Sequence, residues 1–203
     1  MTAKSAGTPA QQLDQEPSYT YRPSLLGAPW SFWLTPTGVA WEAGRRSGLT
    51  PYRDIRRVRL SFKPVSMQRQ RYQTEIWADG APKLAIVSSS WKSMVEQERL
   101  NKPYAAFVGE LHRRLAEADA PVSYEQGGNP VRYWLGLAVF SGILLGLAFL
   151  VVRALLVDGL AAAAFIAAFL ALFVWYSGSY FRRNRPGAYR SDALPELLLP
   201  KGA

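Results

Sequence analysis

Residues Tyr133–Val152 read YWLGLAVFSGILLGLAFLVV, 20 positions without a charged side chain. At about 1.5 Å of rise per residue, a helix of this length matches the ~30 Å hydrocarbon core of a bilayer. A second run, Gly159–Tyr180, reads GLAAAAFIAAFLALFVWYSGSY and is again long enough to span. Val157-Asp158-Gly159 supplies turn chemistry between them. The reading is a hairpin of two transmembrane helices, 133–155 and 159–181, in preference to a buried helical pair of a soluble protein. Tyr133 and Trp134 at its entrance, and Trp175, Tyr176, Tyr180 and Phe181 at its exit, stand where lipid headgroups would be.

Charge gives the hairpin an expected direction. Arg182, Arg183, Arg185 and Arg190 follow the second span, whereas Arg153 and Asp158 near the connection cancel. Basic flanks stay inside, so the expectation is a cell inner (cytoplasmic) membrane with both termini cytoplasmic. Neither span carries an acid, His or Asn at its middle, which argues against a proton relay or ion path. Small residues fall on one stripe of each span: Ala138, Gly142 and Gly146 in the first, Gly159, Ala163, Ala167 and Ala171 in the second. Such stripes let backbones approach closely, either between the two spans or in an oligomer or with a partner helix.

Outside the hairpin the chain is polar and basic. Of 203 residues, none is Cys, which excludes disulfides, thiolate nucleophiles and Cys-based metal sites. The net charge of +9 resides in the two soluble parts, so the natural acidic partner is a membrane lipid surface, with nucleic acid second. Residues 1–28 read as a disordered lead-in, rich in Gln, Ser, Thr and Pro. Residues 29–120 read as a folded domain, 121–132 as a linker with a Gly127-Gly128-Asn129-Pro130 hinge, and 182–203 as a cytoplasmic tail.

Within 29–120 the period is mostly two. Trp30, Phe32 and Leu34 alternate with Ser31, Trp33 and Thr35, and Pro36-Thr37-Gly38 turns into Val39–Ala43. After Gly44 the pattern breaks. It resumes with Val58, Leu60 and Phe62 opposite Arg57, Arg59, Ser61 and Lys63, and ends at Pro64. Tyr72, Thr74, Ile76 and Ala78 alternate with Arg71, Gln73, Glu75 and Trp77, and Asp79-Gly80 signals a hairpin into Lys83–Val87. Four or five antiparallel strands are expected. Tyr104, Phe107, Val108, Leu111 and Leu115 then recur at helical spacing behind Pro103, a stripe that needs a sheet to cover. His112, the single histidine, is expected at the surface or its boundary.

The aromatic start, Tyr52-Arg53-Asp54-Ile55 leading into a Val-x-Leu strand, the Ser88-Ser89-Ser90-Trp91 end of the last strand and the closing Tyr-x-x-Phe-Val-x-x-Leu helix resemble the bacterial pleckstrin-homology-like domain. That resemblance implies an α+β fold, a small antiparallel PH-like barrel or sheet capped by a C-terminal helix, here followed by the transmembrane hairpin.

Arg57, Arg59, Lys63, Arg69 and Arg71 would share one face of two paired strands. A solvated outer face accounts for them, and so does contact with anionic lipid or a protein partner. Gly-rich phosphate loops, HExxH, GxSxG and clustered metal ligands are missing from the sequence. Glu75 and Asp79 fit ion pairing. The expectation is a non-enzymatic, membrane-anchored binding or scaffold module without cofactor or metal; the alternative is a structural subunit of a larger membrane complex, assembled through its helices and tail. Leu194-Pro195-Glu196-Leu197-Leu198-Leu199-Pro200 is too apolar for a solvated stub. It folds back on the domain or the membrane face, docks a partner, or frays.

Overall fold

The computed structural model describes residues 16–66, 69–93, 96–157 and 159–200, with side chains left aside over 64–70. The chain divides into two compact units. One holds the described residues up to Glu125 together with those from Ala188 on; the other is Gln126–Gly187.

The first unit is α+β. Strands β1 (Ser18–Tyr21), β2 (Trp30–Leu34), β3 (Gly38–Ala43) and β4 (Arg46–Pro51) form an antiparallel meander. A single 3-10 turn, Tyr52–Asp54, leads into β5 (Ile55–Ser66), which pairs with β6 (Arg69–Ala78), itself paired with β7 (Leu84–Val87). With β10 (Ser123–Gln126) and β11 (Gly187–Ala188), the second sheet runs β11-β10-β5-β6-β7. A small ribbon of β8 (Ser89–Trp91) and β9 (Gln97–Arg99) precedes helix α1 (Asn101–Glu117). Among the described residues the sheets are separate, and no closed barrel joins them.

Alternation explains the expected strands. Phe32 and Leu34 of β2, Val58 and Leu60 of β5, and Ile76 of β6 are buried, as are all five residues of the α1 stripe. Burying a side chain of this size stabilises the fold by about 1.5–3 kcal/mol. Tyr104 at the start of the stripe is fully buried, and its hydroxyl bonds Thr74 Oγ1 at 2.7 Å. The Asp79-Gly80 turn is in place, with Gly80 at φ +66, where a side chain would be strained.

Strands also form outside the expected set, among them β10 inside the stretch read as linker, and β1 and β4. Ser18–Tyr21, inside the stretch read as disordered, is β1 because Tyr19 and Tyr21 place their rings in the core. Their hydroxyls donate to Val87 O at 2.6 Å and Ala85 O at 2.5 Å, joining the first sheet to the second. Residues 46–51, read as a break, are β4. Its Gly48 lies against the Trp41 ring, where an added Cβ would come within 2.7 Å of the indole, and Trp41 Nε1 donates to Thr50 Oγ1 at 3.1 Å. β5 also continues past Pro64, with a register shift between Pro64 and Ser66.

The C-terminal segment belongs to this unit. Leu198 is buried in the same core as Phe32 and Leu60, Tyr189, Leu194 and Leu199 pack against that core, and a short turn, Glu196–Leu198, lies along β5. Of the alternatives for the tail, folding back on the domain is the one observed.

The second unit contains α2 (Pro130–Val157) and α3 (Leu160–Arg183), 28 and 24 residues long, both long and apolar enough to cross a bilayer. Pro130 occupies the first helical position, and Asn129 Oδ1 accepts from Arg132 N at 3.3 Å as the cap. The expected hinge is a clasp at the base of the hairpin. Gly128 N donates to Asn184 O at 3.0 Å, and Gly127, at φ +82, lies so near that a Cβ would meet Arg185 O at 2.4 Å.

α2 and α3 pack through Phe140 against Phe173 and Phe181, through Gly136 beneath the Phe181 ring, and near the turn through buried Ala154 and Ala163. The small-residue stripes divide accordingly. Ala163 is buried and Ala167 half-buried, while Ala138, Gly142, Gly146 and Ala171 are exposed. A Cβ added at Gly142 or Gly146 meets nothing within 4 Å, so the GxxxG face of α2 points away from α3. Packing of the first stripe on α3 is thereby corrected: the aromatic rings of Phe140 and Phe181 hold that interface.

Candidate functional site

The β5–β6 ribbon aligns Arg57, Arg59, Lys63 and Arg71 on one face, since Arg57 pairs with Trp77, Arg59 with Glu75, Ser61 with Gln73 and Lys63 with Arg71. The face is not a single patch. At its centre Ser61, Gln73 and Glu75 are buried, contrary to the solvated surface that outward charges suggest. Gln73 Nε2 donates to Glu75 Oε1 at 3.1 Å, and Lys83 Nζ closes on the same carboxylate at 2.5 Å. Ser61 Oγ is buried without a hydrogen-bond partner among the described residues.

One end of the ribbon is internally satisfied. Arg59 donates to Glu125 Oε2 from Nε at 2.9 Å and from Nη2 at 2.5 Å, binding β10 to β5. Arg57 lies 4.0 Å over the Trp77 ring centre and 3.7 Å from Glu125, and Lys83 approaches the same ring at 4.9 Å. Cations held over an indole gain roughly 0.5–2 kcal/mol. Arg57 and Arg59 thus work as the joint that seats β10. Arg56 meets Asp79 at 2.6 Å, the ion pairing expected of that carboxylate.

The other end is different. Lys63 and Arg71 pair in register across the strands, and Arg71 Nε is buried without a hydrogen-bond partner among the described residues. The Arg69 side chain falls outside the described ones. Like charges directly opposed across a sheet are destabilising. Arg71 also lies near the Tyr21 hydroxyl: burial pushes that hydroxyl's pKa up, and the guanidinium opposes the rise.

His112 is buried, which corrects its placement at the surface. Its Nδ1 lies 2.7 Å from Val108 O, a pure acceptor, so Nδ1 carries the proton. Nε2 is then an acceptor and receives the Tyr189 hydroxyl at 2.7 Å. Desolvation pulls the imidazole pKa below its usual value, against the bond to Val108, and burial raises those of Tyr124 and Tyr189. The three rings cluster at 5.4–5.7 Å. Beside them a shallow groove of about 490 Å³ runs between α1 and the tail, lined by Gly109, His112, Ala116 and Leu194 among others. With both ring nitrogens engaged, His112 has none left to act as a base or a metal ligand there. Among the described residues no cluster of His, Asp and Glu could hold a metal ion. Sequence spacing could not place His112, because its partner is 77 positions away.

Comparison with protein-family models, with curated proteins and with solved structures finds no match to this chain.

Proposed function

We propose that this chain is a membrane-anchored, non-enzymatic binding module that presents a PH-like domain to an anionic lipid surface at the cytoplasmic face of an inner membrane. Its carrying observation is the Lys63–Arg71 cation pair at the far end of the β5–β6 ribbon. Near an anionic leaflet each basic residue contributes about 1 kcal/mol of attraction, and a tethered domain gives up little freedom to gain it. The PH-like reading draws support from the order of elements: four strands in one sheet, β5, β6 and β7 in the next, then α1. The placing of both termini on one side draws support from the packing of Leu198 and Tyr189 in the same unit as β1–β7, with two candidate spans between. The arginines after α3 favour the inside.

The test uses the full-length protein in lipid nanodiscs. Hydrogen exchange over residues 60–72 should slow when phosphatidylglycerol replaces part of the phosphatidylcholine, and high salt or Lys63→Glu with Arg71→Glu should remove the difference. Equal exchange in both lipids sinks the reading.

A second reading rests on the outward GxxxG face of α2. There the chain is a structural subunit whose helices join a second copy or another membrane protein.

A further inference from the structure

We infer that the β1–β2 loop, Arg22–Pro29, is a wedge that inserts Leu26 into the headgroup–acyl boundary of an anionic leaflet, with Arg22, Arg45, Arg46 and Lys92 as its ring of phosphate contacts. The inference rests on the proposed membrane-facing role and names the element that would seat the domain.

Leu26 stands apart from every other large apolar side chain of the soluble unit. It is 103% exposed, whereas Leu49 and Leu197, the next, are half covered at 52% and 49%. A single exposed leucine is common on a protein surface and by itself means little. Here the position is built. Pro23 and Pro29 restrict the backbone on either side of it. Gly27 N donates to Ser24 Oγ at 3.1 Å, which closes the turn that carries Leu26. The base is fixed as well: Arg22 N donates to Ser90 Oγ at 3.0 Å, and Arg22 O accepts from Trp91 N at 3.2 Å. A loop held in this way loses little further entropy when its tip enters a new phase.

The surroundings carry the charge such a tip requires. Trp30 pairs with Ala43 and Ala43 with Arg46, which sets the β3–β4 turn, with exposed Arg45 and Arg46, beside the loop. Arg22 is exposed too, and none of these three guanidinium groups is in an ion pair among the described residues. Lys92 follows Trp91, and its contact with Glu96 is long, 3.9 Å, and open to solvent on both sides. Trp30 and Trp91 are half-exposed at the same end, the composition found where protein meets headgroups. Arg71, near Tyr21, continues the positive field toward the β5–β6 ribbon. An apolar tip in a cationic, indole-bearing rim matches an interface that is apolar beneath and anionic above.

The chain has no Cys, so one can be placed at will. Full-length Leu26→Cys, carrying an environment-sensitive NBD label, is placed in nanodiscs of phosphatidylcholine with and without phosphatidylglycerol, and Ala81→Cys in the β6–β7 turn serves as reference. The label at 26 should shift to the blue and be quenched by bromine-bearing acyl chains in the anionic discs, while that at 81 stays in water. Arg45→Glu with Arg46→Glu should reduce the seated fraction about tenfold or more. A label at 26 that remains in water in both lipids overturns the wedge. So does a shift that acyl-chain quenchers do not reach, which would mark a protein contact. If residues 60–72 are protected by anionic lipid while position 26 stays wet, the wedge fails and the proposed function stands. If position 26 inserts and 60–72 are indifferent, the wedge stands and the Lys63–Arg71 contact falls.

Discussion

The hydroxyl of Tyr189 donates to Nε2 of His112 at 2.7 Å, so a residue that follows the second apolar helix completes the hydrogen bonding of a residue that precedes the first. Replacing Tyr189 with Phe leaves a buried acceptor without its donor, a loss of about 1–3 kcal/mol. Leu198→Ala removes a core side chain and should cost about 2–5 kcal/mol. Thermal melts of the detergent-solubilised protein check both. Wild-type midpoints for the two variants would mean that the tail packs there without contributing stability.

The same imidazole makes stability depend on pH. Desolvation holds the His112 pKa below its ordinary value of 6.5, so in mildly acid solution the unfolded chain binds more protons than the folded one. Stability contributed by the neutral ring is complete above about pH 6.5 and falls as pH descends toward the depressed folded value. His112→Gln should flatten that slope between pH 7 and about 5. An unchanged slope in the variant assigns the acid sensitivity to other groups.

Arg59 and Glu125 form the joint that seats β10. The Arg59 side chain is only 14% exposed, and Glu125→Gln removes the opposing charge. Local opening of β10 should become about ten-fold or more easier, seen as faster amide exchange at Tyr124 and Glu125 with β6 unaffected. Retained protection at β10 would show that backbone pairing alone holds it.

In the second unit, Gly142→Leu with Gly146→Leu should leave the hairpin intact, because their Cβ positions are open. Native mass then separates the readings: a smaller assembly supports helix association through that face, and an unchanged mass removes it. Ala163→Leu, by contrast, forces bulk into a buried contact and should loosen the α2–α3 pair by about 1–3 kcal/mol.

What could be read from the residues alone was whatever repeats locally. The alternation of β2, β5 and β6, the Asp79-Gly80 turn, the α1 stripe and the two long apolar helices all carry their period within a dozen residues. Elements held by distant partners were hidden. β1 shows only two tyrosines in a polar stretch, and their hydroxyl partners lie 68 and 64 positions on. β4 has little alternation, since Gly48 yields its place to the Trp41 ring. Burial of Ser61 and Gln73 on a strand face that alternation reads as outward carries no local signal. Arg57, Arg59, Lys63 and Arg71 did share a face, but their division into a joint at Arg57 and Arg59 and a cation pair at Lys63 and Arg71 required knowing where Glu125 falls.

The place of Leu198 in the core sets a schedule for biosynthesis. When Glu125 leaves the ribosome, the β-rich body still lacks part of its interior, and 73 more residues must be made before Leu198 can arrive. At about 5–20 residues per second this is a delay of roughly 4–15 s, during which the apolar hairpin is also produced. Over that interval the nascent domain exposes the apolar surface that Leu198, Leu194 and Tyr189 later cover. The unfinished core and the apolar hairpin are therefore open to solvent in the same seconds.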